Sequence, residues 1–329
     1  MKVSVIVLSY NSAATIGRAL DSVLSQRCDF DWEIIVGDDG STDATCEIVE
    51  KYARGASGVR FRMLFSKKNR GVQANYFDCL EAAAGEYIAD CAADDSWVGD
   101  TRLKSFVDAL DSCPEASMAF SNWTTVDAIS GERRECFPAV TRDVERYEML
   151  VPLLAGQSRP AMHLSACVYR KSSLMNDYSL HRDDLYRNKE YGCEDFQILM
   201  SLTCAGKGIY LPESTLDYSI GGNTITSQHD AARAARFALC TLKLRLKLAA
   251  RHGLIAHPSV AESLARQYHY ALSEAVAGFD ESLLLEAKSL WRSVPGKPLR
   301  TLLLRLLLFL PGGSGIVRGL KNILVSSMF

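Results

Sequence analysis

The chain has 329 residues, 48% hydrophobic and 23% charged, which excludes a disordered or collagen-like polypeptide and suffices for one large core with an appendage, or for two modest domains. The formal charge of −2 gives no reason to expect a nucleic-acid partner, but it is unevenly spread: residues 231–329 hold 14 Lys and Arg against 5 Asp and Glu, and residues 1–230 hold 23 against 34. Ten cysteines without a C-x-x-C pair point to neither a zinc site nor a disulfide framework and fit reduced thiols in the cytosol.

The opening run VSVIVL (3–8) is β-branched and apolar, too short for a membrane span or a secretion signal and interrupted by Ser4, so it reads as a buried strand. Ile16, Leu20, Val23 and Leu24 then recur at helical spacing between Ala13 and Ser25, and EIIVG (33–37) is a second strand. A helix over 42–54, a strand over 59–65, a helix over 72–84 and a strand over 86–91 complete the order βαβαβαβ, which predicts a largely parallel sheet covered by helices. In such sheets ligands bind beyond the carboxyl ends of the strands. The polar clusters fall there: SYN at 9–11, DDGSTD at 38–43, NRG at 69–71 and ADD at 93–95. Beyond Trp97 the spacing predicts a helix over 100–111, a strand over 116–120, a Pro/Gly-interrupted passage to about 165, a strand over 165–170 and a helix over 192–202. From about 230 the pattern is helical throughout, placing a boundary near 228–232.

By itself DDGSTD reads equally well as an ordinary strand-to-helix turn with Ser41 or Thr42 as the cap. The second acidic turn, Asp94–Asp95, favours a site, because clustered carboxylates oppose one another's ionisation unless a cation joins them. A few hard oxygen ligands favour Mg2+ or Mn2+, which keep open positions for water and a substrate diphosphate. A solvated helix start is the competing reading of the pair.

Five blocks, VSVIVLSYN, EIIVGDDGSTDAT, NRGVQAN, GEYIADCAADDSW and CEDFQILMSL, stand in one order over roughly residues 1–226 and resemble the family 2 inverting glycosyltransferases of the GT-A fold. The resemblance implies an α/β, Rossmann-like nucleotide-diphospho-sugar transferase with a mostly parallel sheet flanked by helices and a C-terminal helical appendage. It implies a catalytic domain over 1–228, with a nucleotide-binding part over about 1–100 and an acceptor-binding part over 101–228, followed by a helical region over 229–329. Ser9 and Tyr10 would frame the nucleotide base, with Asn11 in the same block, and Asp39 would accept a hydrogen bond from a uracil or thymine imide. Asp94 would lie near the ribose and Asp95 would bind the Mg2+ or Mn2+ that bridges the phosphates. Arg70 would face phosphate while Gly71 lets the backbone approach it, although an arginine in a loop is more often solvated, and Asn75 either belongs to the block or secures its helix. Asp195 would be the general base and Glu194 a supporting or acceptor-positioning carboxylate; the competing reading is an acidic pair that complements a helix dipole.

Two positions depart from the family's pattern. Ala92 stands where many members carry the first acid of Asp-x-Asp-Asp, and DYSIGGNTITS puts Ser219 and Gly221 where relatives show a Tyr-Arg-x-His run, so ligation by histidine is unsupported. His229, Thr224 and Thr226 are weak substitutes.

The activity implied is metal-dependent transfer of a sugar, with inversion, from a UDP- or dTDP-linked donor to a hydroxyl of a glycan acceptor, in bacterial capsule, O-antigen or exopolysaccharide synthesis. The absence of a QxxRW motif points to single additions rather than processive synthesis. Two alternatives compete with this reading: a sugar nucleotidyltransferase, which would call for a basic Gly-rich loop where SYNSAATIG offers none, and a non-catalytic glycan-binding protein, against which intact Asp95 and Asp195 argue. In the C-terminal tail Arg300, Thr301 and Arg305 share one helical side among leucines, Pro311-Gly312-Gly313 stops the run short of a span, and Arg318, Lys321 and Asn322 oppose Ile316, Leu320, Ile323 and Leu324. Residues 299–326 are therefore expected to lie on an anionic membrane surface, the inner face of the cell membrane, where a polyprenyl-linked acceptor would be met. Packing onto the catalytic domain or a second subunit is the other reading.

Overall fold

A computed structural model describes residues 1–156, 161–221, 230–278 and 280–296, with 299 and 301–303. The first elements follow the expected order: β1 (Val3–Ser9), α1 (Ile16–Leu24), β2 (Trp32–Asp38), α2 (Thr45–Gly55), β3 (Arg60–Phe65), α3 (Val72–Ala82) and β4 (Tyr87–Ala92). β1 and β2 are covered on both faces, which is why they read as largely apolar runs rather than alternating ones. α1 buries Ile16, Ala19, Leu20 and Val23, the helical stripe seen in the sequence. Gly37 in β2 admits α3 to close contact: a Cβ there would lie 2.4 Å from the Cys79 sulfur and 2.6 Å from Asn75 Oδ1.

The chain continues through β5 (Ser96–Trp97), α4 (Arg102–Ser112), β6 (Ala116–Asp127), β7 (Arg133–Cys136), α5 (Leu150–Ala155), β8 (Cys167–Arg170), α6 (Lys171–His181), α7 (Asp195–Ala205) and β9 (Lys207–Ile220). The sheet order is β3-β2-β1-β4-β8-β6-β9-β5, with β7 paired to β6. β1 to β4 are mutually parallel, as expected. Beyond β4 the sheet is mixed, because β8 runs antiparallel to both β4 and β6 while β6 and β9 are parallel. The strand expected over 116–120 extends to Asp127, held along its length by β9, a strand that the residue pattern does not announce. The reason lies in β9 itself. Its register on β6 jumps between Ser121–Leu211 and Asn122–Ser214, and Pro212 sits in the irregularity, its carbonyl accepting a 2.7 Å bond from Asn122 Nδ2.

Residues 1–153, 161–189 and 193–221 form one compact unit; 154–156, 190–192 and the described residues from Asp230 onward form another. The second unit holds α8 (Ala231–Arg251), α9 (Pro258–Ala277) and α10 (Glu281–Ser289). Asp230 and Asp280 cap α8 and α10 by accepting two backbone N–H bonds each, and Pro258 opens α9. No helix among the described residues is long and apolar enough to cross a membrane. The segment 304–326, Arg300, Thr224, Thr226 and His229 lie outside the described residues.

Candidate active site

β1 and β2 end together, Ser9 opposite Asp38, and β1 pairs Leu8 with Ala92 at the end of β4, so three loops leave the sheet at one edge. Asp38 is fully buried and organises the second loop, accepting bonds from Ser9 Oγ (2.9 Å), Ser41 Oγ (2.5 Å) and the Ser41 N–H (2.8 Å). Asn11 takes a left-handed backbone, φ 49°, which asparagine tolerates. Its N–H donates to Ser41 Oγ at 2.7 Å, and its Oδ1 accepts from the Thr42 N–H at 2.8 Å, fastening the first loop to the second. Ser41 and Thr42 are spent in this way and do not cap α2. That helix begins at Thr45, whose N–H donates to Asp43 Oδ1 at 3.0 Å.

Asp39 is buried and points toward the third loop. Its two oxygens accept the N–H groups of Arg70 and Gly71, both at 2.8 Å, which fixes the carboxylate while leaving lone pairs on each oxygen. Gly71 meets this need at φ 94°, a conformation that glycine adopts without strain. Arg70 joins the cluster through its backbone; its guanidinium donates to Asp78 Oδ2 at 2.6 Å and Ser66 Oγ at 3.0 Å. Asn75 donates to the Gly37 carbonyl at 2.8 Å and secures α3 on β2. Tyr10 stays half exposed beside these loops.

The acidic turn after β4 is electrostatically unfavourable for ionised carboxylates. Asp95 has no exposure; its Oδ1 accepts the Ser219 N–H at 2.9 Å, and Oδ2 has no hydrogen-bond partner. Burial first, then the neighbouring Asp94, hold the Asp95 carboxyl well above the ordinary range, and burial raises Asp94 as well. Arg18 of α1 donates to the Asp94 carbonyl at 2.5 Å and to Ser219 Oγ at 3.0 Å, joining α1, this turn and β9. An orphaned, buried carboxylate oxygen beside a second carboxylate is a hard-oxygen donor set that suits Mg2+ or Mn2+. Among the described residues no three His, Cys, Asp or Glu side chains converge on one point, so such an ion would complete its shell with oxygens from outside the protein.

Glu194 and Asp195 stand at the start of α7, with Asp195 its first residue. Gln73 of α3 donates to the Cys193 carbonyl at 3.0 Å, fixing the backbone immediately before the pair. Asp195 is exposed, whereas Glu194 is half exposed yet closely surrounded by protein, and burial followed by the Asp195 charge raises its carboxyl. Sequence reasoning missed Arg18, Ser219 and Gln73 as site residues. Arg18 looks like a solvated helix arginine and Ser219 acts through its amide, which no residue-type pattern records. Gln73 sits inside a block quoted for its glycine and asparagine.

Residues 4–176 match the family described as Glycosyl transferase family 2, more than half of the chain. The putative teichuronic acid biosynthesis glycosyltransferase TuaG of Bacillus subtilis (strain 168) is 36% identical over 119 residues, 36% of this chain and 44% of that protein. The chain spans between a quarter and a half of the length of the curated relatives it matches. Among solved structures, S. aureus TarS 1–349 in complex with UDP is similar at a TM-score of 0.59 and 20% identity, covering 99% of this chain and 87% of that one. The mannosyltransferase PcManGT of Pyrobaculum calidifontis, in complex with GDP-Man and Mn2+, is similar at 0.52 and 19%, covering 99% and 86%. The blocks, the site geometry and the family match agree, and the chain belongs to glycosyltransferase family 2, with the GT-A fold.

Proposed function

We propose that this chain transfers a sugar, with inversion and with the help of Mg2+ or Mn2+, from a UDP- or dTDP-sugar to a hydroxyl of a glycan acceptor in bacterial surface polysaccharide synthesis. The observation that carries the reading is the buried Asp95 carboxylate, with one oxygen unpartnered beside Asp94 at the strand-end edge where Asp39 is also fixed. Asp39 binds the imide of the base, between Ser9, Tyr10 and Asn11, and Asp94 meets the ribose. The N–H groups of Arg70 and Gly71 hold the Asp39 carboxylate in place for its bond to the base, and Gly71 leaves the backbone open to close approach by phosphate. Asp95 holds the cation, with Asp94 adjoining; when bound, that ion supplies positive charge against the departing diphosphate. Asp195 takes the proton of the acceptor hydroxyl as its oxygen attacks the anomeric carbon opposite the breaking bond to phosphate. Glu194, which burial keeps toward its protonated form, donates a hydrogen bond that orients the acceptor. The name of TuaG supports a polysaccharide setting, and the UDP of TarS and the Mn2+ of PcManGT support a nucleotide donor and a cation.

The same reading assigns residues 1–228 to catalysis and 229–329 to a helical region that meets an anionic membrane surface on the cytoplasmic side, where the acceptor is polyprenyl-linked. The test is release of UDP or dTDP from a panel of sugar nucleotides with Mn2+, by the parent and by Asp195→Ala. The parent should turn over one donor class and the variant should lose at least about a hundredfold in rate. Equal rates for the two on every accepted donor would refute the assignment of the base.

A further inference from the structure

The Asp94–Asp95 turn is closed by its own backbone: the Asp95 N–H donates to the Ala92 carbonyl at 3.0 Å, and the Ala93 N–H donates to the Leu8 carbonyl of β1, also at 3.0 Å. Neither bond reaches a carboxylate. The Asp95 side chain accepts one hydrogen bond, from the Ser219 N–H of β9 at 2.9 Å, so its direction is set by where Ser219 stands relative to the turn. Beyond the turn, β5 pairs Ser96 with Asp217, which brings β9 alongside but leaves Ser219 two residues past that pairing.

α1 supplies the missing link. Arg18 and Ser22 stand one helical turn apart on it, beside the buried stripe of Ile16, Ala19, Leu20 and Val23. Arg18 Nη2 donates to the Asp94 carbonyl at 2.5 Å and to Ser219 Oγ at 3.0 Å, and Ser219 Oγ donates to the same carbonyl at 2.5 Å. The hydroxyl accepts one bond and gives another, which its single proton and two lone pairs allow, so the three groups close a triangle. One turn further along α1, Ser22 Oγ accepts the Trp97 N–H at 3.0 Å, and the helix thereby grips the chain on both sides of Asp95. Arg18 is exposed, and an exposed arginine gives up rotamer freedom when it is held in this way. Its charge works against a divalent cation at Asp95, so any help it gives that cation comes from its hydrogen bonds.

We propose that Arg18 is a positioning residue for the cation site: by tying the Asp94 carbonyl to Ser219 it keeps the Ser219 N–H on Asp95 Oδ1 and leaves Oδ2 free for Mg2+ or Mn2+. The proposal rests on the reading of Asp95 as the ligand of that ion. Arg18 acts through Ser219 and the turn, and its effect on the ion has a sign of its own. Removing a nearby positive charge strengthens the binding of a cation, whereas loosening the carboxylate that holds the cation weakens it. The two contributions oppose one another, and a positioning role requires the second to win.

The experiment measures the dissociation constant of UDP by calorimetry on the full chain, once in EDTA and once with saturating Mn2+, for the parent, Arg18→Met, Ser219→Ala, the double variant and Asp95→Asn. The ratio of the two constants is the gain in UDP affinity that Mn2+ confers. Arg18→Met is expected to reduce this gain several-fold, up to about tenfold, while its constant in EDTA stays within about twofold of the parent's. Ser219→Ala cuts the triangle at another corner but keeps the amide that holds Asp95; it should move the gain in the same direction, and it carries the test if Arg18→Met does not fold. The double variant should lose little more than the worse single one, because both substitutions break one device. A gain that is unchanged or larger in Arg18→Met overturns the proposal, and so does a loss that appears equally in EDTA, which would make the arginine a contact of the diphosphate itself. Loss of the gain in Asp95→Asn beside an intact gain in Arg18→Met overturns the proposal alone. An intact gain in Asp95→Asn, or none in the parent, overturns the cation reading and the proposal with it.

Discussion

Asp95 is fully buried with one oxygen unpartnered, which costs stability whenever the carboxyl is ionised without a cation beside it. Its folded carboxyl holds a proton more tightly than in the unfolded chain, so its contribution to stability is complete below the unfolded value, near pH 4, and is lost as the pH rises toward its folded value. Asp95→Asn should therefore melt at a higher temperature than the parent at pH 7.5 in EDTA, with the difference shrinking toward pH 4. Mn2+ with UDP should raise the melting temperature of the parent and leave that of the variant unmoved. Thermal melts at the two pH values check both statements. Asp90 shows the same sign, its stabilising term fading as the pH passes about 7, and Asp90→Asn should flatten the fall in stability between pH 5 and pH 8 by a few kcal/mol. Asp39, Asp94, Asp95, Glu194 and Asp195 were legible in the sequence because carboxylates clustered at strand and helix ends stand out against apolar flanks. Asp90 was not legible: one acid within an apolar strand carries no periodicity, and the groups that act on it, Tyr76 of α3 and Arg102 of α4, are brought to it only by the fold.

α3 is the element on which the site depends most. Just before it, the N–H groups of Arg70 and Gly71 hold Asp39; Asn75 anchors it to β2 and Gln73 reaches Cys193. Gln73→Leu keeps the volume but removes the donor, so the start of α7 loses one fixed point. Steady-state kinetics should show kcat falling about tenfold with the KM for the donor nearly constant, because the base is displaced while the nucleotide loops are untouched. Gly37→Ala attacks the other anchor. Its Cβ would fall within 2.4 Å of the Cys79 sulfur, so it should destabilise the fold by roughly 1–3 kcal/mol in urea unfolding. The elements from β1 to β4 were legible because each strand is bracketed by turn residues and each helix carries an apolar stripe. β9 was not, since Pro212 and Glu213 interrupt its pattern and its place is decided by β6.

For the molecule as a whole, the parallel half of the sheet follows from alternating strands and helices, but the change to mixed pairing after β4 does not, because short β8 gives no local cue to its direction. The first 230 residues are net acidic and the remainder net basic, and the proposed contact of that remainder with an anionic membrane is electrostatic. The full chain should sediment with phosphatidylglycerol vesicles at low salt, stay in solution with purely zwitterionic vesicles, and be released by 0.5 M NaCl. Retention at that salt would mean that charge does not govern the contact. Catalysis depends on a narrower claim, that the aspartates after β4 hold a cation facing the leaving diphosphate. Anomalous diffraction from crystals soaked with UDP and Mn2+ tests it most directly. The account predicts manganese at coordination distance from Asp95 Oδ2, bridged to the diphosphate, with the uracil at Asp39; a diphosphate bound away from Asp95, or a fully bound UDP with no manganese beside it, would contradict the account.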